Sequence, residues 1–291
     1  MNVVTVRRNK WRALAMSLVL PGFGQLYNGE VNKAIWLFLI FLLLTGPGIA
    51  MIALYLPAGL TMPVLVFSVV ASLSVWVWGI ADAWRGARAR VDYVPAPWQI
   101  SGLYALVILL CGFVVVPATV DAVRTHEVQS FDIASGSMEP TLLRHDLVFA
   151  DKRYNCVGCK AVHRGDIAIF TYPNDRTQIY VKRIIGLPGD VITIGGRSIS
   201  VNGQPLDMGA GTEGIDGRSW QVQWGDPPAA EMRTTVPSGA VFVLGDNRSN
   251  STDSRHFGAV PLDDVVGNVR QIWASFGDGG IRWERLGMVP R

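Results

Sequence analysis

Hydrophobic and polar positions along this chain fall into two regimes. Up to about residue 120 the apolar residues run together. Three stretches reach the roughly 20 residues needed to cross a bilayer at about 1.5 Å each: Ala34 to Leu56, Leu60 to Ala81 and Ile100 to Val120. Gly46-Pro47-Gly48 is expected to kink the first of them. Farther on, short alternating pieces are bounded by Gly, Pro and Asn: Leu147 to Ala150, Asp166 to Tyr172, Gln178 to Ile185, Val191 to Ile194, Ser198 to Val201, Ala240 to Leu244 and Val265 to Ile272. A period of two predicts strands, hence a mainly β domain. Asn202-Gly203 predicts a tight hairpin turn. Gly209 to Pro228, rich in glycine and polar residues, is expected to be a surface excursion.

The expected architecture is an α-helical membrane region over residues 1–123, followed by a mainly β domain over residues 124–291. Arg7, Arg8, Lys10 and Arg12 precede a moderately apolar segment, Ala13 to Tyr27, that lacks an A-x-A site, so a cleaved leader is not expected. Pro21-Gly22-Phe23-Gly24-Gln25-Leu26-Tyr27-Asn28-Gly29 should break any helix. It is similar to a P-G-x-G-Q-x-Y-x-G turn of small bacterial membrane modules and reads as a membrane-surface turn with an aromatic anchor. The loop Arg85 to Trp98 carries Arg85, Arg88 and Arg90, whereas Pro57 to Thr61 is uncharged, so the positive-inside rule puts the arginine loop and the basic N-terminus in the cytoplasm. Three spans then run outward, inward and outward, and the chain beyond about Asp121 lies outside the cytoplasm. Ala13 to Tyr27 is left as an interfacial or re-entrant segment. Trp76, Trp78, Trp84 and Trp98 read as an aromatic belt, with Asp82 at the headgroup level or paired with Arg85 or Arg88.

Composition agrees with the membrane reading: 49% of 291 residues are hydrophobic and only 17% charged. A formal net charge of +3 is too slight to imply nucleic acid as a partner. Of three cysteines, Cys111 lies in an apolar run. Cys156 and Cys159 are spaced to close a tight disulfide in an oxidising compartment, or to stay free thiols. A zinc pair would need two further ligands, and the four histidines show no paired metal spacing, so no metal is expected.

Four polar blocks stand out in the second half. They are Ser135-Gly136-Ser137-Met138-Glu139-Pro140-Thr141-Leu142, Arg164-Gly165-Asp166-Ile167, Lys182-Arg183 running to Pro188-Gly189-Asp190, and Gly245-Asp246-Asn247-Arg248 running to Ser254-Arg255. In this order they resemble the bacterial type I signal peptidases, over about Phe131 to Val260. Ala134 departs from the proline many members carry there, with a small expected effect on loop stiffness.

The resemblance implies a membrane-bound serine endopeptidase with no cofactor, whose extracytoplasmic domain removes signal peptides from exported preproteins after small residues at the first and third positions before the cut. It assigns Ser137 as nucleophile and Lys182 as general base in a Ser-Lys dyad acting through an acyl-enzyme. Ser135 becomes a side-chain donor of the oxyanion hole, Ser251 the group that orients the lysine amine, and Asp253 with Arg255 a pair that keeps the last block in shape. Ile133 and Met138 flank the nucleophile as candidate pocket lining, or belong to the core. A lysine with a pKa of about 10.4 cannot accept a proton near neutrality, so the fold must bias it by roughly 3 kcal/mol toward the neutral form. Val181, Ile184, Ile185 and Leu187 are apolar neighbours suited to that. His145, His163 and His256 are weighed as a triad base, but none has the expected setting.

The implied partners are preprotein signal peptides and the lipid bilayer. The extra spans are open to three uses: fixing orientation, binding lipid, or meeting a secretion translocon. Two other readings compete. A self-cleaving protease of the SOS-repressor type shares the dyad but should carry a DNA-binding segment and no spans. An inactive membrane scaffold is opposed by the intact Ser137, Lys182, Ser135 and Ser251.

Overall fold

The computed structural model describes residues 5–155, 159–226 and 229–291. The chain divides into two compact units, Met1–Thr125 and His126–Arg291.

The first unit is helical: α1 Lys10–Val19, α2 Phe23–Tyr27, α3 Val31–Thr45, α4 Pro47–Tyr55, α5 Ala58–Ala89, α6 Ser101–Leu110 and α7 Val116–His126. Among the described residues, three continuous stretches are long and apolar enough to cross a membrane: Val31–Tyr55, Gly59–Ala89 and Ser101–His126. Gly46 separates α3 from α4 within the first, with Pro47 opening α4 where a missing N–H costs nothing. A π-helical turn, Cys111–Val115, joins α6 to α7.

Two expectations for this unit are corrected. The Pro21 to Gly29 stretch, expected to break any helix, contains a short one of its own, with Phe23, Gly24, Gln25 and Asn28 buried inside the unit. A side chain at Gly24 would stand 2.1 Å from Ser17 Oγ and 2.4 Å from the Ala13 carbonyl oxygen, so only glycine lets α2 approach α1 this closely. Gln25 Nε2 donates to the Gly79 carbonyl (2.7 Å) and Asn28 Nδ2 to the Ala83 carbonyl (2.8 Å), tying the motif to α5. Asp82 is paired with neither Arg85 nor Arg88. Lys33 Nζ donates to both its oxygens at 3.1 Å, because α3 brings a lysine from 49 residues away onto the inward face of α5.

The second unit is β-rich. Its main sheet is formed by β1 Val128–Asp132, β2 Asp146–Asp151, β3 Ile167–Thr171, β4 Ile179–Gly186, β12 Ala240–Leu244, β13 Val260–Pro261 and β14 Val265–Gly277, with β15 Gly280–Ile281 on β14. The order is β1-β2-β14-β3-β4-β12-β13, and every pairing is antiparallel. A second sheet has the order β11-β5-β6-β7, from β5 Val191–Gly196, β6 Ser198–Val201, β7 Gln204–Pro205 and β11 Ala229–Thr235. Its β6–β7 hairpin turns at Asn202 and Gly203, both with positive φ (53° and 80°), the mirror-image turn their residue types favour.

The expected excursion after Gly209 is a folded meander instead, β8 Asp207–Gly209, β9 Thr212–Ile215 and β10 Arg218–Gln221. Ile215, Trp220 and Val222 are sparse along the sequence, yet all three are buried in one apolar cluster with Ile185, Ile192 and Phe242. Their burial outweighs the local polarity. A helical turn, α8 Ser254–Phe257, closes the last polar block.

Cys159 is disulfide-bonded and Cys111 is free; Cys156 lies outside the described residues.

Candidate active site

Ser137 sits in a single 3₁₀ turn, Gly136–Met138, between extended residues on either side. Met138 and Leu142 anchor that turn in an apolar cluster with Ile133, Val148, Ile167 and Ile169. The loop it belongs to is closed onto β2 by backbone bonds from Ile133 N to the Asp146 carbonyl (3.0 Å) and from His145 N to the Ile133 carbonyl (2.8 Å). Asp146 is fully buried and receives Leu143 N, Ser275 Oγ and the Arg285 guanidinium, which also reaches the Thr141 carbonyl.

Lys182 lies in the middle of β4, opposite Ala168 of β3. Its Nζ is 2.7 Å from Ser137 Oγ and 3.1 Å from the Val181 carbonyl oxygen. Only 4% of Lys182 is exposed. Strand alternation places Tyr180 and Ile184 on its side of the sheet and Val181 and Ile185 on the other, so two of the four expected neighbours face away. Tyr180, not anticipated, presents its ring 5.4 Å from the amine. Burial brings the Lys182 pKa down to about 8, against the pull of the Asp253 and Asp246 carboxylates, which favour the charged form.

Ser135 is exposed, and its Oγ stands 3.1 Å from Ser137 Oγ. None of His145, His163 and His256 is among the hydrogen-bond partners of Ser137 within the described residues; His256 Nδ1 instead accepts the Asp253 N–H in a capping box.

The bond expected from Ser251 to the amine is not formed. Ser251 Oγ is buried without a hydrogen bond of ordinary geometry, while its nearness helps hold the Asp253 carboxylate down. It packs where Gly245 passes close to the Ser137 turn: a side chain at Gly245 would meet Ser251 Oγ at 2.2 Å and the Ser137 carbonyl oxygen at 2.5 Å. The group that holds the amine is the Val181 carbonyl.

Asp253 and Arg255 form a tight pair, with the Arg255 Nε and Nη2 each 2.8 Å from a carboxylate oxygen. Asp253 also accepts Gly245 N at 3.0 Å. Burial alone would raise the Asp253 pKa, but Arg255 and the Gly245 N–H outweigh it and lower it below the usual carboxylate value.

Several residues around the Ser137 turn and β4 were given no role from sequence. Asn247 donates its backbone N–H to the Ser137 carbonyl and Nδ2 to the Gly136 carbonyl, both at 3.1 Å. Arg183 grips Asp246 through Nε (2.8 Å) and Nη2 (2.6 Å), with Thr141 Oγ1 on the same carboxylate at 2.5 Å. Arg164 binds Asp190 in a fork, both contacts at 2.8 Å. Arg248, fully enclosed, donates to Glu213 of β9 at 2.5 Å, and its backbone N–H bonds the Gln223 carbonyl. The meander is thereby fastened to the turn that carries Asn247. A polar residue following the lysine and two acids beginning or ending the blocks were the available signals, but pairing them needs the fold.

A cleft of about 490 Å³ opens beside Ser137 and Lys182. Ile133 and Met138 line it and are also core residues, so both readings of them hold; Tyr180, Ile179, Asn250 and Thr252 complete its walls. A cavity of similar size, about 500 Å³, lies among Asp166, Arg218, Trp220 and Arg270, and neither Ser137 nor Lys182 borders it. The first cleft is therefore the one that Ser137 and Lys182 line, in contact with each other.

Comparison with known proteins agrees. A family model described as "Signal peptidase, peptidase S26" matches residues 104–274. Signal peptidase I of Bacillus caldolyticus is 37% identical over 156 residues, 52% of this chain and 81% of that protein. Signal peptidase I of Pseudomonas fluorescens is 29% identical over 209 residues, 57% of this chain and 73% of that protein. A crystal structure of a signal peptidase I from Enterococcus faecalis V583 shares 31% identity, covering 38% of this chain and 97% of that one, with a TM-score of 0.29. The model match spans more than half of the chain and all four polar blocks, and the apolar helices supply the anchor: the chain belongs to the type I signal peptidases of family S26, as a membrane-anchored serine endopeptidase.

Proposed function

We propose that the protein removes signal peptides by a Ser137–Lys182 dyad on the extracytoplasmic side of a three-span membrane region. The observation that carries this is the 2.7 Å contact between Lys182 Nζ and Ser137 Oγ in a buried site. With the amine neutral, Ser137 O–H donates to Nζ, and Lys182 takes that proton as Oγ attacks the scissile carbonyl. The resulting oxyanion meets the Ser137 backbone N–H and the Ser135 hydroxyl. Lys182, now charged, returns the proton to the departing amine, leaving the signal peptide's carboxyl end as an ester on Ser137. A water deprotonated by Lys182 then frees it.

The same reading gives the neighbouring residues their roles. Val181 carbonyl orients the amine. Asn247 fixes the turn so that the Ser137 N–H points at the developing charge, and Asp253 with Arg255 shapes the loop behind it. Ile133 and Met138 narrow the cleft, which favours small side chains at the first and third positions before the cut. Residues 1–123 hold this domain, residues 124–291, against the bilayer in which the signal peptide's apolar stretch also lies, and a secretion translocon is a further candidate partner for the extra spans.

The test is cleavage of a preprotein by purified full-length protein. Ser137→Ala and Lys182→Ala should each abolish it, and cleavage that survives either change rules out the dyad. Loss of the Ser135 hydroxyl in Ser135→Ala should cost about 10²–10³ in rate.

A further inference from the structure

The region the family model leaves unmatched carries a groove that the peptidase reading does not use. Trp76 Nε1 donates to the Ser17 carbonyl at 2.8 Å, while Lys10 Nζ lies 5.4 Å from the Trp84 ring, so α1 runs antiparallel to α5. The basic N-terminal segment therefore meets the C-terminal end of α5. At that end residues 5–100 gather eight cations against three carboxylates. Glu30 and Asp82 are engaged by Lys33 and Arg90. Lys10, Arg85 and Arg88 have no carboxylate partner among the described residues.

Between α1 and α5 at this level runs a furrow with an apolar floor of Leu14, Val77, Ile80 and Ala81, walled by Trp11 and Trp84 and rimmed by Arg85. Lys10 Nζ lies 5.6 Å from the Trp11 ring centre, and the Arg88 guanidinium 5.6 Å from that of Trp84. Two indoles thus hold unneutralised cations around one mouth of an apolar track. Such a site matches one chemistry: an acyl chain along the floor and an anionic headgroup at the rim.

We propose that the α1–α5 furrow binds an anionic phospholipid, its chain on Leu14, Val77 and Ile80 and its phosphate among Lys10, Arg85 and Arg88. A lone zwitterionic lipid would bring its own cation to an already cationic rim. The site uses residues of the membrane region alone and does not depend on the dyad.

The test is native mass spectrometry of the full chain released from detergent after titration with phosphatidylglycerol or phosphatidylcholine. Wild type should retain phosphatidylglycerol at least about tenfold better. The triple variant Lys10→Gln/Arg85→Gln/Arg88→Gln should lose about 100-fold in affinity, at about fivefold per charge removed. Trp84→Ala should weaken retention while leaving the rim charges in place, and helix content by circular dichroism should be kept in both. Arg7→Gln/Arg12→Gln, which removes charge from the same end but not from the furrow, should retain the lipid. Equal retention of the two lipids, or loss in the Arg7/Arg12 variant as deep as in the triple, would overturn the site. So would a furrow occupied by a second copy of the chain with no lipid bound.

Discussion

Lys182 and Arg183 stand back to back on β4, both basic and both buried, and their surroundings differ in one respect. Arg183 faces Asp246, with two charge-assisted bonds, a third to the Gly165 carbonyl and the Trp220 ring at 4.7 Å. Lys182 faces a hydroxyl, a carbonyl and an aromatic ring, with its nearest carboxylates acting only at a distance. The paired cation is tied to Asp246 and serves as structure. The unpaired one is made easier to discharge by its burial, as the proposed proton transfer from Ser137 requires. A single strand thereby puts a frame on one face and chemistry on the other, and side-chain alternation keeps them apart.

Exchanging the two kinds of cation should break the contrast most severely. Lys182→Arg puts a permanently charged fork where no carboxylate stands, and cleavage should fall at least about 10³-fold because a guanidinium cannot act as base. Single-turnover cleavage with enzyme in excess would read this. On the other face, Asp246→Asn leaves Arg183 buried without its counter-charge, at a cost of about 3–5 kcal/mol. A thermal-unfolding midpoint lowered by roughly 10 °C would register it.

Removing the lysine charge should have the opposite effect on stability. The folded pKa of about 8 lies below the ordinary lysine value of 10.5. Below pH 8 both folded and unfolded chains hold the proton, and burying it costs about 3 kcal/mol in full. Between pH 8 and 10.5 only the unfolded chain keeps it, so stability rises with pH and the cost fades. Lys182→Met, inactive, should therefore be more stable than wild type at pH 7, with the difference closing as pH climbs past 8. Denaturant unfolding at several pH values checks the sign. The smallest effect on cleavage is expected at the remote strut: Glu213→Gln should lower kcat about tenfold with KM little changed, since it loosens the Arg248 turn that aims Asn247 at Ser137 without touching the cleft, while stability falls as in Asp246→Asn because Arg248 loses its buried counter-charge.

Much of this was legible in the residues themselves. The three helices long and apolar enough to cross a membrane could be read from apolar runs, and β6, β12 and the Asn202-Gly203 turn from alternation and turn chemistry. What escaped notice was set by contacts between distant segments. Trp220 and Ile215 look isolated among glycines until the meander folds them onto Phe242 and Ile192. Gly24 and Gln25 read as a loop, because their helix exists only against α1 and α5. Asp82 looked nearest to Arg85 in sequence, yet Lys33 is nearer in space. At the site, Ser137 and Lys182 were identified by motif resemblance, whereas Tyr180 against the amine, Asn247 on the nucleophile turn and the displaced Ser251 required side-chain directions.

The most direct test of a discharged lysine beside a serine is the pH dependence of kcat/KM for preprotein cleavage between pH 6 and 11. The rate constant should rise with pH along a single proton's titration, reaching half its plateau near pH 8 and standing at about a tenth of it at pH 7. A midpoint at 10 or above, or a profile flat from pH 7 to 9, would contradict the account.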